Sequence, residues 1–245
     1  MSGMVESAGT EAAGQLPGAQ RGMELPDRDA GQGDMGLPDR DAGQGDMELP
    51  EGHPGQGRTV RRALLDAALE VFTERGYTDA GLTEIAARSG IPVGSLFQHY
   101  GGKRGLYLAL WEEFREEQER RTAATLASER SRGVEDPIAL FVAGARAYLE
   151  GAWDNRRLGR LLVGDDGPSG FDALRRQWDR AWVRRNARLL EVDERRRAGR
   201  VRVSVLTTVI GGAARELGDC GDEAEAREIV DEVCGILIHL SAPPG

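Results

Sequence analysis

Residues 82–103 bring together types whose spacing suits contact with a nucleic-acid backbone. Leu82, Ile85 and Ala86 recur as the inward positions of a short helix, about 82–89, and Ala86-Ala87 are small enough for a second helix to cross nearby. Gly90 supplies the left-handed conformation that a tight turn needs. Pro92 suits the first turn of a second short helix, about 92–100, because a proline at the first helical position forfeits no hydrogen bond. Short helix, glycine turn, short helix is the helix-turn-helix outline, whose second helix enters a major groove about 12 Å wide. Gly94-Ser95, near the start of that helix, permit close approach to a phosphate backbone. The only lysine of the chain, Lys103, follows directly on the Gly101-Gly102 break, and every other basic residue is arginine.

Other chemistries find no support. Residues 111–245 hold one histidine, His239, with no metal-ligand spacing, no phosphate-binding loop and no nucleophile elbow. The reading is therefore a non-enzyme without cofactor or metal, and an enzyme with an attached helix-turn-helix is the reading set aside. Cys220 and Cys234 are too few for a disulfide scaffold or a cysteine metal site, and His53, His99 and His239 lie far apart. No apolar run reaches the ~18–20 residues of a membrane span, and no basic stretch precedes an apolar one at the start, so a soluble cytoplasmic protein with no membrane partner is expected.

The net charge of −9 is unevenly spread. Residues 1–57 carry three arginines against eleven acidic residues, whereas residues 58–110 carry seven basic against five acidic. An acidic chain thus contains one locally basic segment, and its total charge does not exclude nucleic acid as a partner. The acidic segment is repetitive: Glu24-Leu-Pro-Asp-Arg-Asp-Ala-Gly-Gln-Gly-Asp-Met35 recurs nearly unchanged at 36–47, and a degenerate copy begins at Glu48. Rich in Gly, Pro and Asp, residues 1–57 read as a disordered acidic tail. Two alternatives stay open, an acidic arm that competes with DNA for the basic segment and a start at a later methionine such as Met47.

Residues 58–245 read as all-α. Val60, Leu64, Ala67, Ala68, Val71 and Phe72 make one helical face, with Thr59 as N-cap and Gly76 as the stop. Further helices are expected near 106–131, 136–153, 171–196, 199–217 and 222–240, punctuated by Asp136-Pro137, Gly164–Gly170 and Gly218–Gly221. Val201–Val205 is the one β-like patch, and helix is favoured there because the apolar spacing continues through Leu206, Val209 and Ile210.

The run Leu65-Asp-Ala-Ala-Leu-Glu-Val-Phe72, with Gly76-Tyr77, Ile85-Ala86, Gly90-Ile91, Gly94-Ser95-Leu96-Phe97-Gln98-His99-Tyr100 and Lys103, resembles the N-terminal domain of the TetR family of bacterial transcriptional regulators over about residues 60–110. The resemblance implies a three-helix DNA-binding domain at 58–105 and a helical ligand-binding and dimerisation domain at 106–245. It implies that Ser95 bonds a phosphate, that His99 reaches a phosphate or base edge, and that Lys103 neutralises a phosphate. Arg58, Arg61 and Arg62 fall where family members reach a flanking phosphate or the minor groove. Thr83, Val93, Gly94, Gln98 and Tyr100 complete the candidate contacts.

Four positions depart from the family pattern. Gly81 stands where a Ser or Thr cap is usual, and Pro92 where Ser or Thr opens the recognition helix. Phe97 and Tyr100 invert the usual Tyr-then-Phe order, so Phe97 cannot donate a phosphate hydrogen bond; it is expected in the core with Phe72, Tyr77 and Leu96. Val93 is apolar where polar residues are frequent, and suits a thymine methyl.

In the second domain the resemblance implies a pocket for apolar or aromatic ligands, for which Trp111, Phe141, Tyr148, Trp153, Trp178 and Trp182 are the candidate lining. Arg146 is a further candidate polar anchor. The helices near 199–217 and 222–240 carry Val205, Leu206, Val209, Ile210, Ala213 and Ile229, Val233, Ile236, Leu237, Leu240, and read as a homodimer interface. Dimerisation would space two recognition helices about one DNA turn (~34–36 Å) apart or somewhat more, on a pseudo-palindromic double-stranded operator. The resulting expectation is a repressor released from DNA by a small-molecule effector. Its alternatives are an activator or co-repressed regulator on the same fold, and a helical adaptor that has lost DNA binding.

Overall fold

A computed structural model of the chain describes residues 54–241, with side chains from Arg58 onward. Apart from the backbone of 54–57, the acidic repeat segment and its readings lie outside the described residues. Nine helices follow one another among these residues: α1 Pro54–Asp79, α2 Leu82–Ser89, α3 Val93–Tyr100, α4 Lys103–Ser131, α5 Pro137–Asp154, α6 Arg156–Val163, α7 Phe171–Leu189, α8 Arg197–Asp219 and α9 Glu223–Ser241. The fold class is all-α, as the periodicity indicates, and Val201–Val205 is helical.

The apolar face of α1 is buried as its spacing requires, with Leu64, Ala68 and Val71 fully inside. Thr59 is not its N-cap, because the helix runs back to Pro54 through Gly55 and Gly57, which propensity alone would read as breakers. Gly76 (φ 77°, ψ 169°) interrupts the helix as expected, although a last turn continues to Asp79. Pro92 is the N-cap of α3 rather than its first residue, its carbonyl accepting from the Ser95 and Leu96 N–H groups.

Two further departures have local causes. The eight residues of α6 were not anticipated, since a short run with Gly159 inside it and only Leu158 and Leu162 buried gives little periodic signal. The end of α7 comes at Leu189 instead of 196. The Glu191 N–H bonds the Arg188 carbonyl and the Val192 N–H bonds the Ala187 carbonyl, closing a Schellman turn whose left-handed residue is Glu191 (φ 53°) where a glycine would have announced it.

The described helices enclose two apolar cores. The first gathers α1–α4 with α6 and α7 around Phe72, Tyr107, Trp111 and Phe171. The second joins α5, α8 and α9 around Phe141, Leu149, Leu206, Leu217 and Leu237. Because α4 runs unbroken from Lys103, the helix-turn-helix and the bundle share one rigid element. Gln118, fully buried on α4, reaches α5 with its side-chain amide between the Tyr148 carbonyl (3.3 Å) and the Ala152 N–H (3.1 Å).

The corner after Gly76 is held from the α6–α7 loop. Asp166 accepts the Thr78 N–H (3.0 Å) and the Thr78 hydroxyl (2.6 Å), and a side chain at Gly76 would place its Cβ 2.3 Å from the same carboxylate. The Thr78 hydroxyl above all, then the Thr78 and Tyr77 N–H groups and Lys103, hold the Asp166 carboxyl below its ordinary value. Its contribution is whole above the unfolded carboxylate range and is lost as pH falls through the depressed folded value. Asp166→Asn is expected to cost ~1 kcal/mol at pH 7 in urea unfolding, with the gap to wild type closing below about pH 4. Gly76→Ala is expected to cost more, ~2 kcal/mol, through its positive φ and the clash together; Asp166→Ala should relieve only the clash, giving a measurable coupling in a double-mutant cycle.

Candidate nucleic-acid interface and interior cavity

The sequence between Leu82 and Tyr100 folds as two short helices because each ends on a glycine that takes a left-handed conformation without strain. Gly90 (φ 70°) stops α2, and Gly101 (φ 69°) stops α3 with its N–H on the Phe97 carbonyl (2.8 Å). Ser89 stitches the turn, donating to the Ala86 carbonyl (3.0 Å) and accepting from the Ile91 N–H (3.2 Å). Ile85, Ala86 and Leu96 are buried between the helices. Arg88 ties α2 back to α1 through Glu74 and also pairs within α2 with Glu84.

What remains outside on α3 is a mixed face without lysine, arginine or carboxylate. Gly94, Phe97 and Gln98 are exposed, and Val93, Ser95 and His99 are partly so; Thr83 is exposed on α2. A Cβ at Gly94 would meet nothing of the chain, so no internal contact requires glycine there. Phe97 corrects the sequence reading: half of it is exposed (50%), and the core position belongs to Leu96 alone. The helical spacing 93, 96, 97, 100 offers more apolar residues than α3 has buried face, and Phe97 lies on the outer side.

The other candidates are more committed. The Tyr100 hydroxyl donates to the Arg61 carbonyl (3.0 Å) while the Arg61 guanidinium lies over the Tyr100 ring (5.1 Å), pinning α3 to α1. Arg62 pairs with Asp66 (2.7 Å) and Glu113 (3.2 Å). Arg58 and Arg61 are exposed at the start of α1. The Lys103 ammonium donates to the Thr78 (2.9 Å) and Ala80 (3.2 Å) carbonyls and sits over the Tyr77 ring (4.8 Å). Its position at the opening of α4 was legible; its use as a clamp on the α1–α2 corner was not.

One residue was missed outright. At Gly105, in the first turn of α4, a Cβ would sit 1.6 Å from the Tyr100 carbonyl oxygen. A third glycine within five residues, after Gly101-Gly102, was the available signal.

Above the first core, α4, α5, α7 and α8 surround a cavity of about 540 Å³. Phe141, Tyr148, Trp178 and Trp182 line it as the sequence predicts. Trp111 and Trp153 do not. Trp111 is buried below, edge-on to Trp178 (5.1 Å between centroids) and to Phe171 (5.2 Å), and Trp153 stacks under the Arg156 guanidinium (3.9 Å). Both face away because the one-turn spacing that placed Trp178 with Trp182 says nothing about aromatics on other helices. Arg146 is likewise outside, paired with Asp231 (2.7 Å). Burial pushes the Tyr148 phenol well above its ordinary value.

With this geometry in place, the likeness to known proteins is specific. Residues 64–110 match the family described as bacterial regulatory proteins, tetR family. The HTH-type transcriptional activator FasR of Mycolicibacterium smegmatis is 52% identical over 50 residues, 20% of this chain and 23% of that protein. The HTH-type transcriptional regulator BetI 1 of Chromohalobacter salexigens is 29% identical over 108 residues, 42% of this chain and 47% of that one. The matches thus span between a quarter and a half of these relatives. A solved structure of AibR in complex with isovaleryl coenzyme A and operator DNA superposes with a TM-score of 0.54 at 16% identity, covering 73% of this chain and 98% of that chain. The family resemblance drawn from the sequence is shown: residues 64–110 are a TetR-family helix-turn-helix domain, in a chain with the all-helical fold of TetR-like regulators.

Gly105→Ala is expected to force the α3–α4 corner apart and to cost ~2–3 kcal/mol, read as a fall in the thermal midpoint; Gly94→Ala, which meets open space, should change it by less than ~1 kcal/mol.

Proposed function

We propose that the protein is a ligand-responsive transcriptional regulator that binds a pseudo-palindromic operator as a homodimer and is released from it by a small apolar or aromatic effector. The observation that carries this reading is the exposed outer face of α3, Val93-Gly94-Ser95 with Phe97, Gln98 and His99, on a helix that internal ties from Tyr100 and Leu96 hold in fixed register. Gly94 and Ser95 allow the helix to approach the backbone, Val93 and Phe97 offer apolar surface to base methyls, and Gln98 and His99 offer hydrogen bonds to base edges or phosphates. Thr83, Arg58 and Arg61 supply flanking phosphate contacts; Lys103 keeps α4 seated and has one N–H left for a phosphate.

Dimerisation rests on α8 and α9. Leu206, Ile210, Ala213, Val233 and Leu237, expected at the interface, are buried within the chain instead. Val201 and Val205, one turn apart on α8, stay half-exposed, as do Ile236 and Leu240 on α9. An apolar stripe of this kind on two adjacent helices suits a four-helix contact with a second copy.

Repression is the proposed sign. The activator reading has one specific support, the similarity of the helix-turn-helix segment to the transcriptional activator FasR.

The test is selection of DNA from a genomic pool with the full-length protein. A pseudo-palindromic site is expected, bound ~10-fold or more weakly by Phe97→Ala or Gln98→Ala and more weakly as salt rises. Absence of any enriched site would leave the helical adaptor as the better account. Val205→Glu with Leu240→Glu should yield monomers in analytical ultracentrifugation and lose the operator. Deleting the gene should raise target expression; a fall would make the protein an activator.

A further inference from the structure

The densest positive charge on α7 exceeds that of the helix-turn-helix segment. Residues 58–110 carry seven basic against five acidic residues, whereas the 19 residues of α7 carry six arginines against two aspartates. Two of the six are engaged. Arg175 pairs with Asp172 (2.9 Å) and donates to the Val163 carbonyl (2.9 Å); Arg185 pairs with Glu119 (3.0 Å) and lies over the Trp182 ring (5.2 Å). The other four, Arg176, Arg180, Arg184 and Arg188, are exposed, and none of their guanidinium groups has an ion-pair or hydrogen-bond partner among the described residues.

These four recur every fourth residue, so they climb one side of α7 over ~18 Å, turning ~40° per step. Ala173 and Gln177, both exposed, fall within the arc they cover, and no carboxylate of α7 does. Asp179 lies outside it, among the residues that line the cavity. Leu174, the exposed large apolar residue of α7, stands ~100° round the helix from Ala173. Like charges at i, i+4 destabilise a helix, so this arrangement carries a cost that a polyanion would relieve.

The composition of the arc decides which polyanion fits. Lying in a lipid interface calls for Trp, Phe or Leu on the face opposite the basic residues, and a protein partner calls for a desolvated apolar centre. The arc is arginine, glutamine and alanine, and offers neither. A nucleic-acid backbone asks only for charge and polar side chains. Duplex DNA carries one charge per ~1.7 Å of axis, about twice the density of a fully acidic extended peptide at ~3.3 Å per residue, and it releases counterions where arginines meet phosphates.

We propose that the outer face of α7 is a second, sequence-independent contact surface for duplex DNA, with Arg176, Arg180, Arg184 and Arg188 on phosphates and Gln177 donating beside them. It belongs to a different element from α3 and reads no base.

The test is fluorescence anisotropy of a labelled random-sequence duplex titrated with the full-length protein between about 50 and 200 mM salt. Two variants change the net charge equally. Arg176→Gln with Arg180→Gln and Arg184→Gln clears the face, Arg188 being kept because it also lines the cavity. Arg120→Gln with Arg132→Gln and Arg227→Gln removes three exposed arginines outside α7. Thermal unfolding checks that both keep the wild-type fold. Each phosphate contact contributes about 0.9 to the slope of log affinity against log salt, so the α7 variant is expected to lower that slope by ~2–3 and to bind ~10-fold or more weakly at low salt. The matched variant should lower the slope by less than ~1. A slope unchanged by the α7 substitutions, or lowered as much by the matched set, would overturn the proposal and leave base reading by α3 standing. Binding that depends on the α7 arginines with poly-L-glutamate or phosphatidylserine vesicles, but not with DNA, would overturn it in favour of another polyanion. Failure of the wild-type protein to bind any duplex would overturn it together with the operator reading.

Discussion

A single carboxylate organises the corner on which the helix-turn-helix hangs. Asp166, from the loop between α6 and α7, occupies the space where residue 76 would carry a side chain, and satisfies the N–H and hydroxyl of Thr78 beyond the break in α1. On the other side of the same backbone, Lys103 takes the Thr78 and Ala80 carbonyls. Donors and acceptors freed by the break are therefore both answered, one set by the bundle and the other by the opening residue of α4. The entry angle of α2, and through it that of α3, follows from this arrangement more than from any contact within the motif. Glycine at 76 is then a requirement of packing as well as of conformation, because the carboxylate and the positive φ both exclude a Cβ.

From that corner a chain of edge-to-face rings leads into the bundle. Tyr77 packs on Tyr107 (5.2 Å), Tyr107 on Phe171 (5.0 Å), Phe171 on Trp111, Trp111 on Trp178, and Trp178 on Trp182 (5.9 Å) at the cavity. The Tyr107 hydroxyl donates to the Leu161 carbonyl (3.1 Å) and Arg175 takes the Leu162 and Val163 carbonyls, so the end of α6 is held from both neighbours. Close-packed rings transmit displacement because they cannot compress. On the proposed function, an occupant that shifts Trp178 or Trp182 acts on the surroundings of Asp166 through these contacts, and the differential binding needed for release lies in how the two arrangements of this chain accommodate it.

The sequence carried the helical class, the two glycine-stopped short helices and the four aromatic residues of the cavity wall, because each depends on local periodicity or on a glycine whose reason is local. It did not carry features decided by a partner distant in the chain. Phe97 looked like core until Leu96 took the only inward place; at Lys103 the lysine itself was legible, but its two hydrogen bonds to the Thr78 and Ala80 carbonyls were not. Trp111 and Trp153 shared a residue type with the lining but not its side of the helices. The end of α7 was hidden because a glutamate fills a position where glycine is the usual signal, and Gly105 was overlooked because its reason, the Tyr100 carbonyl, belongs to the helix before it.

These inward commitments shape the outer face. With Lys103, Tyr100 and Arg62 engaged inside the chain, the surface of α3 itself carries no arginine or lysine. On the proposed reading its contacts are made by small, apolar and amide groups, while fixed positive charge enters from Arg58 and Arg61 at the start of α1. Phosphate attraction and base reading thus fall on different elements, and the Tyr100–Arg61 contact is what keeps the two in register. Substituting within α3 would then alter which sequence is preferred, whereas substituting at the start of α1 would weaken all sequences alike, a separation that follows from where the charges sit.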